Sequence, residues 1–190
     1  MSLPLIGLTG MARSGKDTAG VMLEQIGHIK HGDVLCRYSF AEPMKTMLKS
    51  VFGDHFHEGD RSGICPESGV SYRTMMQTLG TEWGRSLNPQ LWVNLVEKRW
   101  KEDAANGCGT ILTDVRFDSE ARWVKMNGGV IIKVVRAGDE GELQGGVPGH
   151  ASEAGVDPIY IDGIIINNKG LDDLRAACEW QYVQVVNRGR

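Results

Sequence analysis

The chain has 190 residues, 41% of them hydrophobic, and a formal charge of −3, which suits one domain able to bury a real core. No stretch is strongly basic, which argues against a nucleic-acid groove, and no apolar run approaches the length of a membrane span. The four cysteines, Cys36, Cys65, Cys108 and Cys178, are widely spaced without a CxxC pair; together with the lack of a signal-peptide pattern they predict reduced thiols in a cytoplasmic protein.

Residues 3–18 read LPLIGLTGMARSGKDT. An apolar run from Leu5 to Leu8 leads to Gly10, and Gly15 and Lys16 follow after a short interval. Ala19, Met22, Leu23 and Ile26 then recur with the period of a buried helix face. Strand, glycine loop with lysine, then helix is the context of a phosphate-binding loop. In such a loop backbone N–H groups curl around an anion, the helix N-terminus adds partial positive charge, and the ammonium reaches the outer phosphates. Gly10, Ala12, Arg13, Ser14, Gly15, Lys16, Asp17 and Thr18 are therefore the candidate nucleotide-phosphate residues. The bare pattern is weak in a chain with 25 glycines; its context supplies the specificity. Asp17 stands where the strict motif has a Mg²⁺-binding hydroxyl, and Thr18 supplies one a residue late. Asp17 is thus a candidate Mg²⁺ ligand, directly or through water.

Further along, strands and helices alternate. Residues 34–40 predict a second strand, and Met44, Met47, Leu48, Val51 and Phe52 a helix with Pro43 in its first turn. Residues 53–70 read as a mobile loop. Tyr72, Met76, Leu79 and Trp83 mark a helix ending between Gly84 and Leu87, and Pro89 opens another with Trp92, Leu95, Val96 and Trp100 on its face. Residues 110–113 are a buried strand running into Asp114, followed by a helix over 117–127 and a strand from Val130 to Val135. Residues 137–155 form a second long loop, rich in glycine and without periodicity. A last strand, Ile164 to Ile166, precedes a helix with Leu171, Leu174, Cys178, Tyr182 and Val185 on one face. The pattern predicts an α/β sheet with helices on both faces, whose strand C-termini and phosphate loop share one edge. Loops this long are uncommon and suit lids or binding segments. His55 and His57, with no second spaced pair, read as surface histidines and not as a metal site.

Several segments then match a family. GMARSGKDT (10–18), FAEPMK (40–45), LGTEWGR (79–85) with Trp92 after it, TDVRFDSEA (113–121) and HASE (150–153) resemble the bacteriophage-type deoxynucleoside monophosphate kinases, within the P-loop nucleoside monophosphate kinase superfamily. The matches run through most of the chain in the family's order. The resemblance implies a P-loop three-layer sandwich with a five-stranded parallel sheet, and one kinase domain over 1–190. It implies a helical and loop insertion for the acceptor nucleotide over 53–105 and a lid-like loop over 137–155. It also implies transfer of the γ-phosphoryl group of ATP, with Mg²⁺, to a deoxynucleoside 5′-monophosphate. Partners would then be small nucleotides, with no nucleic acid and no membrane; a homodimer is one assembly it allows.

On these positions Lys16 would bridge toward the γ-phosphate. Asp114, at the end of a buried strand, would hold Mg²⁺ directly or through water, or else cap the helix that begins near Phe117. Arg116 would bind nucleotide, or pair with Glu120 one turn on. Lys45 and Arg85 are candidates for the acceptor phosphate, and arginine's planar fork suits that task. Arg13 points either at phosphate or at solvent. Tyr38, Phe40, Trp83 and Trp92 could stack a base; most are expected in the core, with Trp83 the first choice. Arg136 and His150 flank the lid-like loop. Two alternatives stay open: another small-molecule kinase of the dephospho-coenzyme A or phosphomevalonate type, or a nucleotide-binding regulatory module without transfer activity.

Overall fold

A computed structural model describes residues 3–53, 63–136, 147 and 149–188. Five parallel strands, β1 (Leu5–Thr9), β2 (Leu35–Tyr38), β3 (Gly109–Leu112), β4 (Val130–Val135) and β5 (Gly163–Ile166), lie in the order β2-β3-β1-β4-β5. The predicted five-stranded sheet is thus present, with β1 at its centre. Every residue of β1 is buried, as a strand covered on both faces requires. Ile6 and Leu8 face α1 (Lys16–Ile26) and the C-terminal helix, α6 (Leu171–Arg188), where Leu23, Ile26, Leu174, Cys178 and Tyr182 complete one core layer. The other face packs Leu112 and Ile131 against α4 (Leu91–Ala105) and α5 (Asp118–Met126) through Trp92, Val96, Trp123 and Val124.

The remaining α-helices, α2 (Glu42–Phe52) and α3 (Tyr72–Gln77), lie on either side of the first long loop. Met44 and Leu48 are buried while Met47 and Val51 are exposed, so α2 is covered along a narrower stripe than its apolar spacing predicts. Leu95 of α4 is likewise exposed. The helix expected to run to Gly84–Leu87 does so by widening, with α3 passing into a π-helical segment over Thr78–Arg85. Trp92 explains the tolerance of that weaker geometry: its indole Nε1–H, buried, donates to the Gly80 carbonyl at 2.7 Å.

Of the first long loop, residues 54–62 lie outside the described residues; 63–71 close on themselves through an antiparallel bridge between Ile64 and Ser71. Of the second, residues 137–146 and 148 lie outside the described residues. Its far end is tied to α3: Val147 N–H donates to Gln77 Oε1, and Glu153 accepts from Arg73 and Gln77. The end of the second long loop is therefore held on the helix that follows the first.

Trp92→Phe leaves the Gly80 carbonyl without its indole donor and opens space beneath the π segment. It should cost about 1–3 kcal/mol, visible as a melting midpoint several degrees lower. An unchanged midpoint would show that this hydrogen bond does not hold the segment in place.

Candidate active site

Parallel strands bring the C-terminal ends of all five elements to one edge, and the phosphate loop lies there between β1 and α1. Its backbone is unusual. Gly10, Arg13 and Gly15 have φ of +139°, +64° and +97°, and Arg13 is the one non-glycine residue in the left-handed region among the described residues. A Cβ on Gly10 would run into the Val134 carbonyl oxygen, and one on Gly15 into the side-chain amide of Asn167. Close approach therefore demands glycine at both positions. The Asn167 amide also donates to the Ser14 carbonyl at 2.9 Å. Sequence reasoning missed Asn167, because nothing local distinguishes an asparagine after a strand from a turn residue.

Lys16 Nζ donates to the Gly10 and Met11 carbonyls at 2.9 and 2.5 Å, lying across the loop it belongs to. Ser14 is buried and its hydroxyl has no hydrogen-bond partner among the described residues, leaving a donor in the loop that would suit an anion. Ala12 is half-buried; Arg13, Asp17 and Thr18 are exposed. Arg13 thus takes the solvent-facing of its two expected orientations.

At the end of β3 the geometry departs from expectation. Asp114 does not cap α5; its Oδ1 and Oδ2 accept the backbone N–H groups of Phe40 and Ala41 at 2.7 and 3.1 Å, which leaves each oxygen a further lone pair. It clamps the corner between β2 and α2. The contact was not legible because it joins residues more than 70 positions apart.

Glu120 is the organiser of the next turn. Its Oε2 accepts the backbone N–H groups of Arg116 and Phe117 at 2.8 and 3.2 Å, and its Oε1 meets Arg85 Nη2 at 2.5 Å. The Arg85 guanidinium also lies 3.7 Å from the Phe117 ring centroid and donates to Pro89 O and Ser119 Oγ. Arg85, expected as the first grip on an acceptor phosphate, is thus largely spent on a buried ion pair. The Arg116 side chain, expected to pair with Glu120 if not with nucleotide, has neither a hydrogen bond nor an ion pair among the described residues and stays half-buried at the edge.

The aromatic candidates also sort themselves. Phe40 is 2% exposed and meets Trp123 edge-on, so its ring is core and not an open stacking face. Tyr38 and Trp92 are buried as well. Trp83 is 45% exposed and leans on Trp92 at 6.5 Å between ring centroids, leaving one accessible aromatic face. Lys45 is half-buried and 3.6 Å from Glu42. Arg136 is exposed just beyond β4. His150 is buried between Ser152, 2.8 Å from Nδ1, and Glu82, 3.4 Å from Nε2. It docks the 149–153 turn onto the π segment through Glu82.

A family model described as deoxynucleotide monophosphate kinase matches residues 61–178. A protein of Acanthamoeba polyphaga mimivirus, named "Putative deoxynucleotide monophosphate kinase", is 29% identical over 188 residues, spanning 89% of this chain and 91% of its own. The family match begins after the loop at residues 10–16, so that loop rests on its own geometry, while α3, the π segment and the β3–α5 turn lie inside the match.

Glu120 also carries a pH signature. Burial pushes its carboxyl from the ordinary 4.5 up to about 7, with Asp114 adding to the rise and the N–H groups of Arg116 and Phe117 and the Arg85 charge opposing it. Between those values the folded protein holds a proton that the unfolded chain has released. That contribution to stability is full below 4.5 and lost as pH rises through about 7. Urea unfolding at a series of pH values should show this decline, and Glu120→Gln should flatten it. An identical slope in the variant would mean that Glu120 titrates as an ordinary carboxylate.

Proposed function

The chain belongs to the deoxynucleotide monophosphate kinase family, and from that premise we propose that it moves the γ-phosphoryl group of ATP onto the monophosphate at this sheet edge, with Mg²⁺ as cofactor. As a kinase of deoxynucleoside monophosphates it is a phosphotransferase acting between nucleotides; the donor, the metal and the residues named below are our reading. The observation that carries it is the loop over residues 10–16, whose left-handed turns and unpaired Ser14 hydroxyl suit a polyphosphate at the start of α1.

Phosphoryl transfer asks little covalent chemistry of the protein; it asks for in-line alignment and for cations around the moving charge. The loop N–H groups hold the donor phosphates. Lys16 exchanges the Gly10 and Met11 carbonyls for phosphate oxygens, giving up neutral acceptors for charged ones. On the acceptor side Arg116 grips the monophosphate, since its backbone is fixed by Glu120 while its guanidinium stays uncommitted. Arg85 holds the wall of that site through Glu120 and Phe117, Lys45 adds positive charge, and Trp83 offers a face to the base. Arg136 supplies a further cation beside the loop.

Mg²⁺ favours one or two carboxylates together with substrate phosphates over an all-protein cage. The residues present fit that mode: among the described residues no group of three or more His, Cys, Asp or Glu side chains could hold a metal alone, and Asp17 places an exposed carboxylate at the loop's end. Bound there with the nucleotide, Mg²⁺ would neutralise phosphate charge. With Asp114 engaged by backbone N–H groups, Asp17 is the carboxylate for it, Thr18 standing beside.

Coupled ADP release with each dNMP and NMP in turn tests the reading, with turnover expected on deoxynucleotides. Lys16→Met should lower kcat by orders of magnitude in a folded protein; near-normal kcat would remove the loop from the chemistry. Arg116→Lys keeps the charge but loses the planar fork, so kcat/KM for dNMP should fall about ten- to a hundredfold, with KM for ATP little changed. An equal loss for both substrates would move Arg116 to the transferred phosphoryl itself.

A further inference from the structure

The phosphate loop is braced from the far side of the sheet. Between β1, which carries the loop, and β5, which ends just before Asn167, lies the whole of β4. Asn167 is fixed by its own backbone, whose N–H donates to the Val135 carbonyl at 2.7 Å. From there its side-chain amide reaches over the end of β4 to the Ser14 carbonyl at 2.9 Å, filling the space a Cβ on Gly15 would need. The peptide it holds joins Ser14 to Gly15, the residue in the left-handed region that turns the chain into α1. A carbonyl turned away from the anion leaves the following N–H turned toward it, because the two point in opposite directions across a planar peptide.

We propose that Asn167 is a positioning residue for the phosphate donor: its amide, by fixing the Ser14 carbonyl, aims the Gly15 N–H into the phosphate site. This deepens the reading of the loop as the donor site and rests on it. Asn167 acts through the loop backbone, and its loss falls on ATP binding and not on the deoxynucleotide.

The chemistry dictates the variants. Asn167→Asp has the same shape but offers only acceptor oxygens, placing a negative charge against the Ser14 carbonyl and near the phosphates. Asn167→Ala removes the donor without adding charge, and covers the case in which the half-buried carboxylate prevents folding. ATP binding is measured by calorimetry on the full-length protein, alongside KM for ATP and for dNMP and the melting midpoint. Asn167→Ala should weaken ATP binding about three- to tenfold and Asn167→Asp more than tenfold, with KM for dNMP within twofold of the starting protein. A merely structural asparagine would lower the midpoint and leave both KM values alone, and that result overturns the proposal. So does a loss shared equally between ATP and dNMP. If wild-type protein binds ATP but transfers nothing to any dNMP, the functional reading fails while the binding comparison still decides the role of Asn167.

Discussion

Everything in this molecule depends on one constraint, the tight left-handed curl of the backbone over residues 10–15 between β1 and α1 at the edge of the sheet. A polypeptide does not do this willingly. It requires left-handed backbone at Gly10, Arg13 and Gly15, and a non-glycine residue held that way costs roughly 1–3 kcal/mol unless its surroundings enforce it. The enforcement is visible in the packing of Gly10 against the Val134 carbonyl and of Gly15 against Asn167. That is why the order β1-β4-β5 matters to chemistry: it puts the ends of two neighbouring strands where they brace the loop of the first.

The proposed acceptor side would meet a different problem, that of keeping cations near a phosphate without letting them collapse onto protein carboxylates. Glu120 divides the task. It takes Arg85 into a buried pair stacked on Phe117, and it fixes the backbone of Arg116 without touching that side chain. Removing one partner from such a buried pair typically costs about 3–5 kcal/mol, so Arg85 matters to the turn whatever it does to substrate. Asp114 performs the analogous service for the β2–α2 corner, bringing the segment of Lys45 to the same edge. The turn at 149–153 docks on α3 through Glu153 and on the π segment through His150, which joins these elements into one structure.

Much of this was legible in the sequence. Apolar runs with flanking helical periods located all five strands to within a residue or two; β1 and β3, buried at every position, have the least freedom in composition. The phosphate loop was legible because its glycines are demanded by local backbone geometry. What was not legible is pairing across distance. Arg85 and Arg116 look equivalent along the chain, and only the fold shows that Glu120 consumes one and spares the other. Asp114 ends a strand where a metal carboxylate is expected, and its engagement with Phe40 and Ala41 depends on β2 lying beside β3. Asn167 gave no signal at all, because its role exists only through strand order. The exposed flanks of α2, at Met47 and Val51, are apolar residues whose spacing implies a burial that the packing does not provide.

The most direct measurement of the central claim is the fate of the γ-phosphate of labelled ATP when the protein is given Mg²⁺ and a deoxynucleoside monophosphate. A loop that holds the donor phosphates beside a cation-lined acceptor site must deliver the label to the β position of a deoxynucleoside diphosphate, with little lost to water. Label recovered as inorganic phosphate, or left on ATP with every deoxynucleotide offered, would contradict it.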